Sequence, residues 1–382
     1  MIKETLAPLP TRAPHRLASL FRPGPRLVDE IECAASVLLA IVFAHLLGGQ
    51  HVFWAAFAGY LVMRGHVSET LLRGVFRVLG AAIGAGLAVL LIPAARESLP
   101  LAALFGALVG GATLYQALTS RHAYAWVLVG ITFELTMVNA LEHRDQLVHA
   151  VALTWVLQTA AGTLACVIVS ALSTLTARRF WPGTPFPAHP HASWHGLAAR
   201  HAVQAAIALA FVPWLSVFEV PGLAQSAITI LLVMIVPLSS LGVDGLSLVN
   251  RRILLRAAGC LAGCALSALV LFVAQGSMPV LIAGTVIGLM IGRHIENGVW
   301  GIPYFGIQFT LAVLTALVPD SHVHATIDLA VGREEGILLG IAIVWPVLLA
   351  WHLAGRAVSG RWQAVAGRTP PEQAADEQLS TD

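Results

Sequence analysis

Between residues 31 and 352 the chain is almost unbroken hydrophobic sequence, cut only by short polar turns. A helix needs roughly 20 apolar residues to cross the core of a bilayer. Lipid offers backbone groups no partner, so spanning segments must be helices or closed barrels. Barrel strands would alternate apolar and polar residues, and these runs do not. The expected fold is therefore all-α, a polytopic membrane protein with about twelve transmembrane helices. The surface balance agrees. Only 11% of residues are charged and 57% are hydrophobic, with a mean hydropathy of +0.80. About 25% charge is ordinary for a soluble protein.

Six spans can be placed in each half. The first set covers roughly 29–48, 51–63, 74–93, 99–118, 123–140 and 147–173. The second covers roughly 197–216, 222–238, 253–274, 278–292, 299–318 and 335–352. These define an N-terminal arm (1–28), a first membrane repeat (29–173), a Pro- and His-rich linker (174–196), a second repeat (197–352) and a polar, disordered tail (353–382). The arm carries Lys3, Arg12, Arg16, Arg22 and Arg26 and has no apolar core of a cleavable signal. With the N-terminus inside, all but three of the 22 Lys and Arg fall in cytoplasmic segments, the exceptions being Arg96, Arg144 and Arg333. That asymmetry follows the positive-inside rule and places arm, linker and tail in the cytoplasm.

The two halves repeat one another. Residues 77–91 read RVLGAAIGAGLAVLL and residues 256–270 read RAAGCLAGCALSALV. LVM at 61–63 recurs at 232–234, and GITFEL at 130–135 recurs as GIQFTL at 306–311. These order-preserving matches predict two six-helix repeats. An even number of spans in each half makes the repeats parallel, related by an axis along the membrane normal. Gly80 and Gly84 lie one turn apart, as do Gly259 and Gly263. Small residues at that spacing let helices pack closely in lipid. Arg73, Arg77, Arg252 and Arg256 gather near the cytoplasmic start of the third and ninth spans. They serve either helix orientation or an anion-attracting mouth.

Ionisable groups deep in lipid are costly, about 2.5–3.5 kcal/mol on insertion scales, and mark function. Glu134 lies well inside the fifth span, with Thr310 as its counterpart in the GITFEL match. It is either a proton carrier or a structural hydrogen-bonding group. The second span is short, and its counterpart ends at Pro237, a pattern that points to a binding site. The expected pathway is lined by Trp54, Tyr60, Gln225, Thr229, Tyr304, Gln308 and Glu134. His45 and His51 flank the outer turn between the first two spans and His66 lies in the cytoplasmic turn, where they either face water or handle protons. Asp29, Glu30 and Glu32 open the first span, where the helix dipole favours carboxylates. Cys33, Cys166, Cys260 and Cys264 all fall in hydrophobic runs and read as packing residues. His189, His191 and His195 lack a nearby acidic or thiol ligand, so no metal is expected.

The segment WAAFAGYLVM, a polar turn GHVSET, then RGVFRVLGAAIGAGLAVLL resembles the fusaric acid resistance protein-like family. That family includes aromatic acid exporters and is related to plant aluminium-activated malate transporters. Trp54, Ala55, Arg77, Gly80 and Gly84 occupy its pattern. The second half matches more weakly, with Gln225 at the Trp54 place, followed by Arg256, Gly259 and Gly263. The larger exporters carry a sizeable soluble domain between halves, and here only 174–196 is available. The resemblance implies efflux of small organic acids from a bacterial inner membrane, and its exporters suggest a periplasmic adaptor protein or a homo-oligomer as partner.

The chain has no GxxxxGK[ST] phosphate loop and no clustered catalytic motif. The expected function is proton-driven efflux of aromatic or other weak acids, without cofactor, enzymatic activity or nucleic-acid partner. The alternatives are a passive anion channel, an intramembrane enzyme and a structural subunit.

Overall fold

The computed structural model describes residues 24–183, 195–218, 220–238, 241, 245–298, 300–320 and 325–366, with the backbone alone over 355–366. Most of the expected arm, much of the linker with His189 and His191, and the tail beyond residue 366 lie outside the described residues. Among the described residues there is no strand. Twelve α-helices follow one another among the described residues: α1 (Pro25–Leu46), α2 (Val52–Val62), α3 (Val67–Glu97), α4 (Leu99–Thr119), α5 (Ala123–Glu142), α6 (Val148–Leu175), α7 (Gly196–Leu215), α8 (Leu223–Val233), α9 (Gly245–Ala274), α10 (Met278–Glu296), α11 (Pro303–Leu317) and α12 (Asp328–Ala366).

Eight of these are long and apolar enough to cross a membrane, which makes this a multi-pass membrane protein. The other four depart from the expected spans for separate reasons. Helix α1 has Asp29, Glu30 and Glu32 in its opening turns. Helices α2 and α8 have only 11 residues each, and α11 has 15. At 1.5 Å per residue an 11-residue helix covers about half the hydrocarbon thickness. The last helix begins seven residues before the expected 335 and runs past 352 to Ala366. Arg333, expected in an outer connection, is therefore a buried helical residue.

The packing is large-outside and small-inside. Along α3, Leu72, Leu79, Ile83 and Leu90 are exposed, while Gly74, Gly80, Ala81, Gly84 and Ala88 are buried. In lipid no hydrophobic force joins helices, so close backbone approach carries the association. A β-carbon at Gly80 would lie 2.5 Å from the Ala125 carbonyl oxygen, and one at Gly84 2.5 Å from that of Val129. These contacts seat α3 on α5. Gly259 and Gly263 seat α9 on α11 likewise, against the carbonyls of Phe305 (2.7 Å) and Phe309 (2.5 Å). Gly222, which opens α8, has a φ of 70°, and a β-carbon there would meet the Gly332 carbonyl oxygen of α12 at 2.2 Å. Only glycine suits both demands.

The halves of the chain interlock. Helix α7 packs on α4, where Gly110 and Gly111 receive Leu209 and Ala206. Helix α1 reaches the end of α10, where Asp29 accepts from Arg293 Nε at 2.7 Å and Nη2 at 3.1 Å. Glu296 accepts from Arg293 Nη1 at 3.0 Å and from the Tyr60 hydroxyl at 2.7 Å. Glu30 meets His294 Nδ1 at 2.8 Å, and Glu32 accepts from Arg178 Nε at 2.8 Å. The helix dipole alone, invoked for Asp29, Glu30 and Glu32, understates their role, because Asp29 and Glu32 pair with Arg293 and Arg178 and Glu30 meets Arg26 and His294.

Candidate functional site

The short helices leave unpaired carbonyls in the interior, since the last turn of any helix has no intrahelical donors. Cations satisfy the end of α2. Leu61 O accepts from Arg73 Nε at 3.0 Å, and Met63 O from Arg293 Nη2 at 3.3 Å. After α8, His201 Nε2 lies 2.9 Å from Met234 O. The two helix breaks are thus held open by side chains from α3, α10 and α7.

Two clusters of the same composition stand beside these breaks. In the first, Arg77 Nη1 donates to the Tyr124 hydroxyl at 2.7 Å, and Arg73 stacks over the Tyr124 ring at 3.9 Å. In the second, Arg256 Nη1 donates to the Tyr304 hydroxyl at 3.2 Å, and Arg252 stacks over the Tyr304 ring at 4.3 Å. Cation–π contact of this kind orients a guanidinium without neutralising it. The arginines match at an offset of 179 and the tyrosines at 180. That register lies one helical turn from the 176 suggested by GITFEL and GIQFTL. It puts Leu314, rather than Thr310, opposite Glu134. The shift arises because a one-turn slide leaves small and apolar positions superposed, whereas the Arg–Tyr contacts do not tolerate it.

A cavity of about 350 Å³ lies between the clusters. Arg73, Arg77, Arg252 and Arg333 line it together with Tyr124, Tyr304, Gln225 and Gln308, and Trp54 and Phe57 form its aromatic side. Among the described residues no Asp or Glu lines it. Arg256 sits behind this wall, wholly buried. None of these five arginines forms an ion pair among the described residues. A second cavity of about 330 Å³ is lined by Trp155, Leu135, Thr315 and Asp328, residues toward the other end of the bundle. Both cavities touch Trp54, Phe57, Gln225, Ile228 and Arg333, which form the partition between them.

Arg333 is the residue that sequence reasoning missed. Its Nη1 donates to Gln225 Oε1 at 2.9 Å and its Nη2 to Gln308 Oε1 at 3.4 Å, with Phe57 below the guanidinium at 5.6 Å. The GREEG segment at 332–336, which puts two carboxylates beside one Arg at a span boundary, was its only sequence signal. Across the partition Trp54 donates to Thr159 Oγ1 at 3.0 Å and packs edge-on against Trp155 at 5.3 Å.

Of the expected pathway residues, Trp54, Gln225, Tyr304 and Gln308 meet at the cavities. Thr229 lies behind them, accepting from Arg256 Nε at 3.2 Å. Tyr60 belongs to the Arg293 ion cluster. Glu134 lines neither cavity. It is fully buried on the face of α5 that meets α4, with Oε1 3.1 Å from where a β-carbon of Gly110 would stand. Neither of its oxygens has a hydrogen-bond partner among the described residues. No group of three or more His, Cys, Asp or Glu able to hold a metal occurs among the described residues.

The fold and cavities define an all-helical, multi-pass membrane protein with a basic and aromatic interior chamber. Residues 39–169, from the middle of α1 to late α6, match the family described as fusaric acid resistance protein-like, a family of membrane transporters. Trp54, Ala55, Arg77, Gly80 and Gly84 all lie inside that segment. Comparison with curated proteins and with solved structures gives no match.

Proposed function

We propose that this chain is a secondary transporter that moves small organic anions, aromatic or other weak acids, through the chamber between its halves. The single observation that carries this reading is the cavity wall, where four arginines without an ion pair face an aromatic side, and no carboxylate lines the wall among the described residues. Buried cations without counter-ions attract anions strongly in a medium of low dielectric. The two Arg–Arg–Tyr clusters and the glycine contacts at matching offsets support two parallel six-helix repeats. In this reading the termini face the cytoplasm of a bacterial inner membrane and transport is outward, coupled to the proton gradient. A periplasmic adaptor or a homo-oligomer completes the assembly.

The position of Glu134 favours a second reading, a passive anion pathway, because the expected proton carrier lines neither cavity. Proteoliposomes loaded with labelled organic acids distinguish the two. Efflux that rises with an imposed pH gradient supports coupled transport. Efflux that ignores the gradient but follows the anion's own gradient supports the passive pathway. Absence of flux for every acid removes both.

A further inference from the structure

The partition between the cavities holds an arrangement that the chain's own residues leave incomplete. Gln308 Oε1 accepts from two guanidiniums at once, Arg256 Nη1 at 2.9 Å and Arg333 Nη2 at 3.4 Å. Both arginines are at least nine-tenths buried. Two like charges sharing one neutral oxygen repel each other, and burial strengthens that repulsion. Three N–H donors around this point lack any partner among the described residues: Arg256 Nη2, Arg333 Nε and Gln225 Nε2. Buried donors left unpaired cost about 1–3 kcal/mol each, more for charged groups. Glu334, the next residue, lies within coulombic reach of both guanidiniums, yet among the described residues neither of its oxygens has a hydrogen-bond partner and it forms no ion pair, so the three donors stay unfilled.

We infer that Arg333, Arg256 and Gln225 form a binding site for a monovalent anion at the partition, reached from both cavities, and that this site belongs to the second half of the chain alone. Three N–H donors from two guanidiniums and an amide converge there, and no carboxylate oxygen among the described residues accepts from them, so the ligand is an acceptor with negative charge. Both cavities touch Gln225 and Arg333, so an anion held there is exposed to either end in turn. The first half lacks the matching groups. The glycine contact of α2 with α6 (Gly162 against Ala55 and Ala58) matches that of α8 with α12 (Gly340 against Ser226 and Thr229). By that register Trp54 stands at the place of Gln225 and Trp155 at the place of Arg333. The matching positions therefore hold an aromatic pair, Trp54 and Trp155, in the first half and a polar pair with one cation, Gln225 and Arg333, in the second. The anion is either the carboxylate of an organic acid, in which case the inference deepens the transport reading, or a halide held as a resident counter-ion.

Thermal melting of the purified full chain in detergent tests the site, with sodium benzoate, sodium chloride and neutral benzyl alcohol titrated at constant ionic strength in sodium HEPES. Benzoate or chloride raises the melting temperature saturably, and benzyl alcohol does not. Arg333→Gln raises the half-saturating concentration at least tenfold, while Arg144→Gln, in an exposed loop, leaves it unchanged. If Arg333→Gln does not fold, Gln225→Glu carries the test: its carboxylate fills the site, so the protein folds without added anion and loses the anion-dependent shift. Competition between chloride and benzoate assigns the site to the carboxylate head, and a shift with chloride alone assigns it to a halide. No saturable shift with either anion, or equal half-saturation in wild type and Arg333→Gln, overturns the inference. Loss of transport for all acids with an intact Arg333-dependent shift overturns the transport reading and leaves the site standing.

Discussion

Asp29 and Arg293, 264 residues apart in sequence, share a two-pronged ion pair that joins α1 to the end of α10. The guanidinium also serves Glu296, and Asn297 donates to the Asp29 carboxylate at 2.6 Å. Removing one partner of a buried pair costs about 3–5 kcal/mol where the other is left uncompensated, and here Arg293 keeps Glu296, so the cost falls below that range. Asp29→Ala should still lower the melting temperature, and Tyr60→Phe, which removes one hydrogen bond to Glu296, should lower it by less. Equal melting of Asp29→Ala and wild type would show that the pair carries no stability.

The glycine seats predict a steric threshold. A β-carbon at Gly80 or Gly259 would stand 2.5–2.7 Å from a backbone carbonyl oxygen, and backbone cannot step aside as a side chain can. Gly80→Ala and Gly259→Ala should already lower thermal stability, and Gly80→Leu should abolish the monodisperse peak in size-exclusion chromatography. A monodisperse Gly80→Leu protein would contradict the close contact of α3 and α5.

Arg77 carries a charge into the larger cavity and binds Tyr124. A hydrogen bond to a charged group contributes about 1.5–3 kcal/mol, so Arg77→Gln should raise the KM for an organic anion about tenfold or more at equal expression. Flux assays in proteoliposomes measure this, and an unchanged KM would place the anion's route elsewhere.

Glu134 lies against α4, away from both cavities. Glu134→Gln keeps shape and hydrogen-bonding capacity but cannot carry a proton. Flux driven by a pH gradient should survive this change. Loss of gradient-driven flux at normal expression would return Glu134 to the transport cycle.

His51 caps the start of α2 with a φ of 51°, between the spans, and stacks on Trp155 at 4.4 Å. Burial lowers the pKa of its imidazole from the usual value, against the opposing pull of Asp320. A folded-state value below the unfolded one favours the neutral ring. The stabilisation is therefore complete at alkaline pH and is lost as pH falls below about 6.5, the ordinary histidine value. Melting curves from pH 8 to pH 5 should fall more steeply for wild type than for His51→Asn, since Asn tolerates the left-handed backbone. Parallel curves would show that His51 does not titrate within the fold.

Much of this architecture is legible in the sequence because lipid imposes a simple code. Apolar runs, glycine spacing and arginine position place most of the helices, seat α3 and α9 by their small faces, and bring Trp54, Arg73, Arg77, Arg252, Tyr304 and Gln308 to one chamber. What the code hides has physical causes. A helix that is apolar on both its lipid and its protein face has no readable inner side, so the orientation of Glu134 toward α4 was not visible. A slide of one turn superposes small residues on small residues, which displaced the GITFEL register. Arg333 and the Asp29–Arg293 pair owe their roles to partners on remote helices, and no local pattern encodes those.

The embrace of α1 by α10 has a consequence in time. Ribosomes add about 5–20 residues per second, so Asp29 emerges roughly 13–53 s before Arg293, its two-pronged partner 264 residues later. During that interval α1 carries Asp29, Glu30 and Glu32 near its leading end, and Arg178 reaches both Glu32 and Asp29 before Arg293 is made. Arg178 can therefore neutralise part of that charge early, and the complete seat of α1 depends on a helix made much later in the chain.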